Sequence, residues 1–261
     1  MSKIDVTEYR INNKRFGRRI RFAIVSDLHS RENTSVDSVI KLLKEAHPDY
    51  ILCPGDIFER LDGSEKSHKK AGFALLSAAT EIAPTYYSIG NHENGGVCSW
   101  NAFKWMKIDC IPKYYDGEEL DAIWDTGAVL LDDCFVIEDG IAFGGLSSGL
   151  INKERRPVLK WLDEFCSCEC PRVLLCHHPE YYEKYLADKS IDLIVSGHAH
   201  GGQWRIFGRG VFAPGQGIFP KYTSGIHKDR LVISRGLKPS GRIPRIFNRP
   251  EIVIIDIDSK T

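Results

Sequence analysis

Five short apolar runs, each ending abruptly in a turn loaded with polar residues, constrain this chain more than any other feature. Phe22-Ala23-Ile24-Val25 runs into Ser26-Asp27-Leu28-His29. Tyr50-Ile51-Leu52-Cys53 runs into Pro54-Gly55-Asp56, and Tyr86-Tyr87-Ser88-Ile89 into Gly90-Asn91-His92-Glu93. Val173-Leu174-Leu175-Cys176 runs into His177-His178-Pro179, and Leu193-Ile194-Val195 into Ser196-Gly197-His198-Ala199-His200. Runs without a polar alternate are strands covered on both faces, the habit of parallel sheets under helices. In open α/β sheets ligands gather at the carboxyl edge of the strands. If these five strands are parallel neighbours, the five polar clusters meet on one edge.

The segments between the runs support that reading. Residues 35–46 place Val36, Val39, Ile40, Leu42 and Leu43 at helical spacing. Residues 65–80 and 155–166 are also predicted helical. Between them, 128–131, 134–138 and 141–144 form a β-rich middle with turns at Asp132-Asp133 and Asp139-Gly140. Further strands are predicted at 211–213, 231–235 and 251–256. Alternation at both ends around a hairpin region gives an α/β class, two sheets packed face to face and flanked by helices. With no repeat or linker in 261 residues, one domain over 1–261 is expected.

Composition removes several functions. Lys+Arg and Asp+Glu are both 35, so the formal net charge is +0. A chain that coats nucleic acid carries a positive excess, so nucleic acid is an unlikely partner and a nuclease a minority reading. No run approaches the ~18 apolar residues that span a bilayer. The start, Met1-Ser2-Lys3-Ile4-Asp5-Val6, lacks an apolar signal core. A cytoplasmic protein is expected, its eight cysteines free thiols, with Cys166, Cys168 and Cys170 at a helix end. Charge is unevenly spread. Residues 10–21 hold six Lys/Arg and no acid, 221–249 hold eight Lys/Arg against Asp229, and 116–139 hold nine Asp/Glu and no Lys/Arg. Such runs are solvated faces, or they meet an anionic substrate or a lipid headgroup surface. Arg10 to Arg21 is expected to be a surface β-hairpin arm, with peripheral contact to the inner face of a membrane as the alternative. No protein partner is predicted.

The gathered side chains are two carboxylates, an amide oxygen and four imidazoles. That set suits two borderline divalent ions such as manganese, iron or zinc. In Asp27-x-His29 and His198-x-His200, alternate residues of an extended segment face one side and can reach one site. Two ions about 3.5–4 Å apart can hold a hydroxide and clamp a phosphoryl group. His47, His68 and His227 stand alone and are expected to play no part.

The five blocks resemble the signature of the calcineurin-like metallophosphoesterases. The extension Gly197-His198-Ala199-His200-Gly201-Gly202-Gln203, with Ser234-Arg235-Gly236, Arg245 and Arg249-Pro250-Glu251, is similar to a bacterial branch. That branch holds membrane-associated phosphodiesterases and a UDP-diacylglucosamine hydrolase. The resemblance implies a four-layer α/β/β/α sandwich of two mixed sheets flanked by helices. It implies one ion on Asp27, His29 and His200, a second on Asn91, His177 and His198, and Asp56 bridging both. His92 would lie beside the phosphate and protonate the leaving oxygen, so His92, Asp56 and Asn91 form the catalytic core. His178 would support the site rather than touch substrate. Three positions depart from relatives. Glu59 replaces an Asp and must reach further. Ile89 stands where protein Ser/Thr phosphatases carry Arg, although Arg60 matches theirs. The hydrophobic N-terminal anchor of membrane-associated relatives is missing. The resulting expectation is hydrolysis of a phosphodiester or pyrophosphate in a small molecule or lipid headgroup by a metal-bridging hydroxide. The alternatives are a phosphomonoesterase or protein phosphatase, and a non-catalytic binding protein on the same fold. Loops 57–68, 93–110 and 214–228 would set specificity.

Overall fold

The computed structural model describes residues 3–30, 34–59, 69–93, 96–99, 107–110, 117–148, 157–238 and 244–259. Two six-stranded sheets form its centre. The first runs in the order Asp5–Asn12, Glu251–Asp258, Ile20–Ile24, Tyr50–Cys53, Thr85–Ser88, Val129–Leu131. The second runs Gly225–His227, Leu231–Ile233, Leu193–Ser196, Arg172–Cys176, Ile141–Leu146, Cys134–Glu138. Both are mixed. The strands preceding the five polar clusters are parallel within each sheet, while Glu251–Asp258 opposes Ile20–Ile24 and Cys134–Glu138 opposes Ile141–Leu146.

Alternate residues of each strand enter different cores, which resolves the uninterrupted apolar runs into layers. Phe22, Ile24, Tyr50, Leu52 and Tyr86 face Phe143, Val173, Leu175 and Val195 between the sheets. Their neighbours Ala23, Val25, Ile51, Cys53 and Tyr87 pack on Val39, Leu43, Leu75 and Leu76 of the helices Asp37–Ala46 and Lys70–Thr80. On the far side, Leu174, Cys176 and Ile194 pack on Leu162, Phe165 and Leu186. Three cores between four layers make the α/β/β/α sandwich. The chain enters and leaves the first helix by local rules. Its C-terminal residue His47 is left-handed with φ 47°, and Pro48 blocks another turn.

Two expectations need adjusting. Residues 10–21 are not a hairpin arm. Asp5–Asn12 and Ile20–Ile24 do not pair with each other, because Glu251–Asp258 lies between them, parallel to the first and antiparallel to the second. Three arginines there hold contacts within the fold: Arg21 binds Asp256 at 2.8 and 2.9 Å, Arg18 donates to Tyr50 Oη, and Arg15 meets Asp192 at 3.0 Å. The predicted helix at 155–166 is helical only over Leu162–Ser167, led in by a tight turn in which Leu162 N donates to Leu159 O. Residues 149–156 lie outside the described residues, as do His68, Arg60 and the start of the helix predicted over 65–80.

Cys166, Cys168 and Cys170 are free thiols around the end of that short helix. Cys168 Sγ donates to Glu164 O at 3.7 Å. Of the loops expected to set specificity, only 214–228 lies wholly within the described residues.

Candidate metal centre

The five clusters meet because the turns after the strands continue the sheet pairing by backbone hydrogen bonds. Val25 N donates to Leu52 O, Asp27 N to Gly55 O, His29 N to Asp56 O and Ser30 N to Ile57 O, at 3.0–3.2 Å. In the second sheet, Gly197 N donates to His177 O at 3.2 Å. The sheets are joined at the same edge, where His198 N donates to Asp27 Oδ1 at 3.0 Å. Gly55 is needed at this crossing. It has φ +96°, and a Cβ there would lie 2.6 Å from Gly90 N and 2.9 Å from His177 Nδ1.

All seven predicted ligands are buried at this edge. Asp27, His29 and His200 bring ligand atoms within 4.8 Å of one another, and so do Asp56, His177 and His198. Asp56 spans the gap. Its Oδ2 lies 3.1 Å from His177 Nε2 and 3.7 Å from His29 Nε2. Asn91 is buried between Gly90, whose N–H goes to Glu93, and His92, whose N–H goes to Asp56 Oδ1 at 2.9 Å. His92 is the most open of the set, with 14% of its side chain exposed, and its ring centroid lies 4.4 Å from that of His29.

The imidazoles are aimed by their outer nitrogens. His177 Nδ1 is bound to Pro54 O and His200 Nδ1 to Lys238 O, each at 2.8 Å. Bonding Nδ1–H to a carbonyl leaves Nε2 as the lone pair facing inward. Glu59 aims two more rings, lying 3.2 Å from His29 Nδ1 and 3.1 Å from His92 Nδ1. The longer reach noted in the sequence is thus used, since one oxygen serves each ring. His178 meets Ser148 Oγ at 2.5 Å through Nε2 and Glu180 at 3.2 Å through Nδ1, and its ring centroid lies 4.1 Å from that of His198, the planes tilted by 59°. It borders the cluster, as expected for a support.

Sequence reasoning quoted Glu93 but gave it no role. Its carboxylate accepts from Asp56 N, Phe58 N and Gly90 N at 2.8–3.0 Å, tying two ligand-bearing turns together. Glu180, also missed, forms a further set with His178 and His198. The signal for Glu93 was its adjacency to His92. For Glu180 there was none, because its contacts arise only on folding.

Electrostatics follow from burial and crowding. Burial opposes charge on Asp56, yet His177, His92 and His29 outweigh it and hold the carboxyl well below the usual range. Burial also opposes charge on Glu59, and the hydrogen bonds of His29 and His92 pull it down strongly. His177 and His92 are disfavoured as cations by burial, but Asp56 and its neighbours raise each to about 9. His200 is dominated by burial and falls to about 3. Burial, with the charge of Asp56, lifts Glu93 to about 7.

Do these residues fit metal ions? Asp56 Oδ2, His177 Nε2 and His29 Nε2 are buried and carry no hydrogen bond. A carboxylate oxygen facing an imidazole lone pair sets acceptor against acceptor, an arrangement that only a cation or a proton relieves. Buried charges of this kind are paired or coordinate metal. The cluster therefore fits two cations sharing Asp56. The same geometry appears in sequence: residues 20–202 match the calcineurin-like phosphoesterase family. The chain belongs to that family.

Several other proteins share its sequence over varying spans. A bovine transmembrane protein with metallophosphoesterase domain is 27% identical over 70% of this chain and 41% of its own length. The Bacillus subtilis metallophosphoesterase YkuE is 26% identical over 90% of this chain and 77% of its own. The Bacillus subtilis protein YpbG is 50% identical over 33% of this chain and 30% of its own. The chain thus spans less than half of the bovine and YpbG proteins. Membership of the calcineurin-like phosphoesterases implies metal-dependent hydrolysis of phosphoesters. Among the described residues, no helix is long and apolar enough to cross a membrane.

Proposed function

We propose that the chain is a two-metal phosphodiesterase, cleaving a phosphodiester or pyrophosphate bond in a small molecule or lipid headgroup. Asp27, His29 and His200 would hold one ion, Asn91, His177 and His198 the other, and Asp56 would serve both. The observation that carries this reading is the pair of buried ligand sets meeting at Asp56, with the more open His92 beside them. Imidazoles with two carboxylates and an amide oxygen suit manganese, iron or zinc. When bound, the ions supply positive charge to the phosphoryl oxygens and acidify water for attack on phosphorus.

The chain's own residues do the rest. The Nδ1 contacts of His177 and His200 to carbonyls fix which lone pair points inward. Glu59 holds His92 through Nδ1, which leaves Nε2 to hand a proton to the leaving oxygen. The preference for diesters rests on the sequence likeness of the Gly197–Gln203 and Ser234–Gly236 blocks to diester-cleaving relatives. Turnover of bis-p-nitrophenyl phosphate and p-nitrophenyl phosphate with Mn(II) or EDTA tests it. Metal-dependent diester turnover, lost in Asp56→Asn and His92→Ala, is expected. Turnover of the monoester alone would reverse the preference. No turnover, with no metal in the purified protein, would overturn the reading.

A further inference from the structure

The segment after the last ligand turn inverts the usual burial rule. Seven of the eleven exposed large hydrophobic residues among the described residues lie between Trp204 and Phe247. Phe207 is fully exposed, Phe247 is 88% exposed and Phe219 77%, with Ile206 and Ile218 beside two of them. These three phenylalanines have φ of 50–52°. Bulky side chains are rare in the left-handed region, because Cβ crowds the backbone. Here each strained position sets a large apolar ring in water.

The tips belong to one continuous surface. Arg205–Ile206 pairs with Arg209–Gly210 as a hairpin whose turn carries Phe207. Trp204 bridges Ile246, Arg205 N donates to Ile246 O, and Phe247 follows. Phe219 N donates to Val211 O, next to the same hairpin. Phe247 helps to line a cavity of about 640 Å³, with Ile4, Leu28, Val39 and Leu237 on its apolar side and Arg245 and Arg249 on its charged side. The apron is tied to the candidate metal centre, since Asn248 Nδ2 donates to His200 O and Gln203 O.

Its charge points to the partner. From Leu193 to Pro250 the sequence has ten Lys/Arg and one acid, Asp229. Arg209 and Lys228 are exposed on this stretch, and Arg249 keeps 63% of its side chain in solvent. Lys221 is paired with Glu183 and Arg235 with Glu251, and Arg249 lies 3.7 Å from Asp5; the exposed rings beside the exposed Arg209 and Lys228 match the headgroup boundary of an anionic bilayer. A protein partner would need acidic groups interleaved with apolar sockets, whereas a bilayer supplies both by composition.

We propose that the Trp204–Phe247 apron docks the protein on anionic membranes, with Phe207, Phe219 and Phe247 entering the headgroup layer. This places peripheral contact on the second basic run rather than on Arg10–Arg21, where Arg15, Arg18 and Arg21 hold contacts within the fold. The proposal stands whatever bond the metal centre cleaves, because its test reads binding alone.

The test is co-sedimentation of the whole chain with vesicles of phosphatidylglycerol and phosphatidylcholine in equal parts, against phosphatidylcholine alone. Wild type is expected to pellet with the anionic vesicles and to be released by high salt. The triple variant Phe207→Ala/Phe219→Ala/Phe247→Ala should bind at least about tenfold more weakly while melting no lower, since the rings lie outside the core. Arg209→Glu should weaken binding by about tenfold. A vesicle-induced blue shift of tryptophan emission should vanish in Trp204→Phe. Failure of wild type to pellet, or equal binding by the triple variant, overturns the proposal. So does a wild-type dimer that the triple variant converts to monomer without any vesicle binding, because the occupant would then be a second copy of the chain.

Discussion

Two regions of this molecule disobey the burial rule in opposite directions. In the ligand cluster, carboxylates and imidazoles are buried. In the Trp204–Phe247 apron, phenylalanines stand in water. Both use the same backbone device. Asp27, His29, Asp56, His198 and His200 in the first, and Phe207, Phe219 and Phe247 in the second, account for eight of the fourteen non-glycine residues with positive φ among the described residues. Left-handed backbone costs a side chain roughly 1–3 kcal/mol, and it persists where the surroundings over-determine it. In the cluster, pairing to the next turn and the shared carboxylate do so. In the apron, hairpin closure does so at Phe207, a backbone bond to Val211 at Phe219 and the Trp204–Ile246 bridge beside Phe247, while each ring stands mostly in water. The difference separates a site that functions by convergence inward from one that requires a partner outside.

The comparison breaks first at Asp56. If it belongs to both ligand sets, Asp56→Asn removes charge from both at once. Transition-state stabilisation of several kcal/mol is then lost, and at 1.36 kcal/mol per decade turnover falls by about 10³ or more. Metal content should fall with it, which elemental analysis of the purified variant would report. His92→Ala should lower turnover by about 10²–10⁴ and leave metal content unchanged, because this ring is assigned to the leaving oxygen. Loss of metal in that variant would move His92 into the ligand set.

Removing the ions tests the inward convergence without mutation. Ligands that bind only the native state stabilise it, by about 4 kcal/mol at a thousandfold excess over Kd. EDTA should therefore lower the melting temperature by several degrees. An unchanged melting curve, with metal shown to be absent after treatment, would mean that the cluster holds its shape through proton-mediated contacts alone.

Glu93 bears on why the turns converge at all. One carboxylate accepts three backbone N–H groups from two turns. Glu93→Gln turns one acceptor oxygen into a donor facing a buried N–H, at a cost of about 1–3 kcal/mol. A melting point lowered by a few degrees is expected, with turnover reduced through misplacement of Asp56. A variant as stable as wild type would show that strand pairing alone positions the edge.

Much of this was readable from residues, and the unread part has a physical pattern. The five strands and the seven candidate ligands follow from local signals: an apolar run, a turn residue, a donor. The layers also follow, once each run is covered on both faces. What local signals cannot carry is pairing between distant segments. Asn13 to Arg19 is built like a hairpin turn, with Gly17 left-handed at φ 66°, yet the strand that comes between its arms lies more than 230 residues further on. The grips of Glu59 on His29 and His92, and of Glu93 on Asp56, depend on where two turns meet. The exposed phenylalanines were invisible for another reason: a sequence does not distinguish a core ring from a surface one within short, irregular strands.

Strain without function is the remaining control, and the apron supplies it. If Phe207 holds its left-handed position for the sake of a partner, Phe207→Gly should relieve it and raise stability by up to about 1 kcal/mol, some 2–4 °C in a chain of this size. Asp133 offers the contrasting case, left-handed at φ 50° but outside both regions. Burial raises its carboxyl to about 7, well above the ordinary carboxylate range, so the folded state prefers the neutral acid. The stability it allows at low pH is lost as pH rises from about 4 to 7 and stays lost above. Asp133→Asn keeps an oxygen for Ser147 N, now at 3.0 Å from Oδ1, and removes the charge. The variant should match wild type near pH 4 and melt slightly higher at pH 8. A variant less stable than wild type at pH 8 would mean that the carboxylate is held there by favourable contacts, and that left-handed polar positions outside the cluster also carry load.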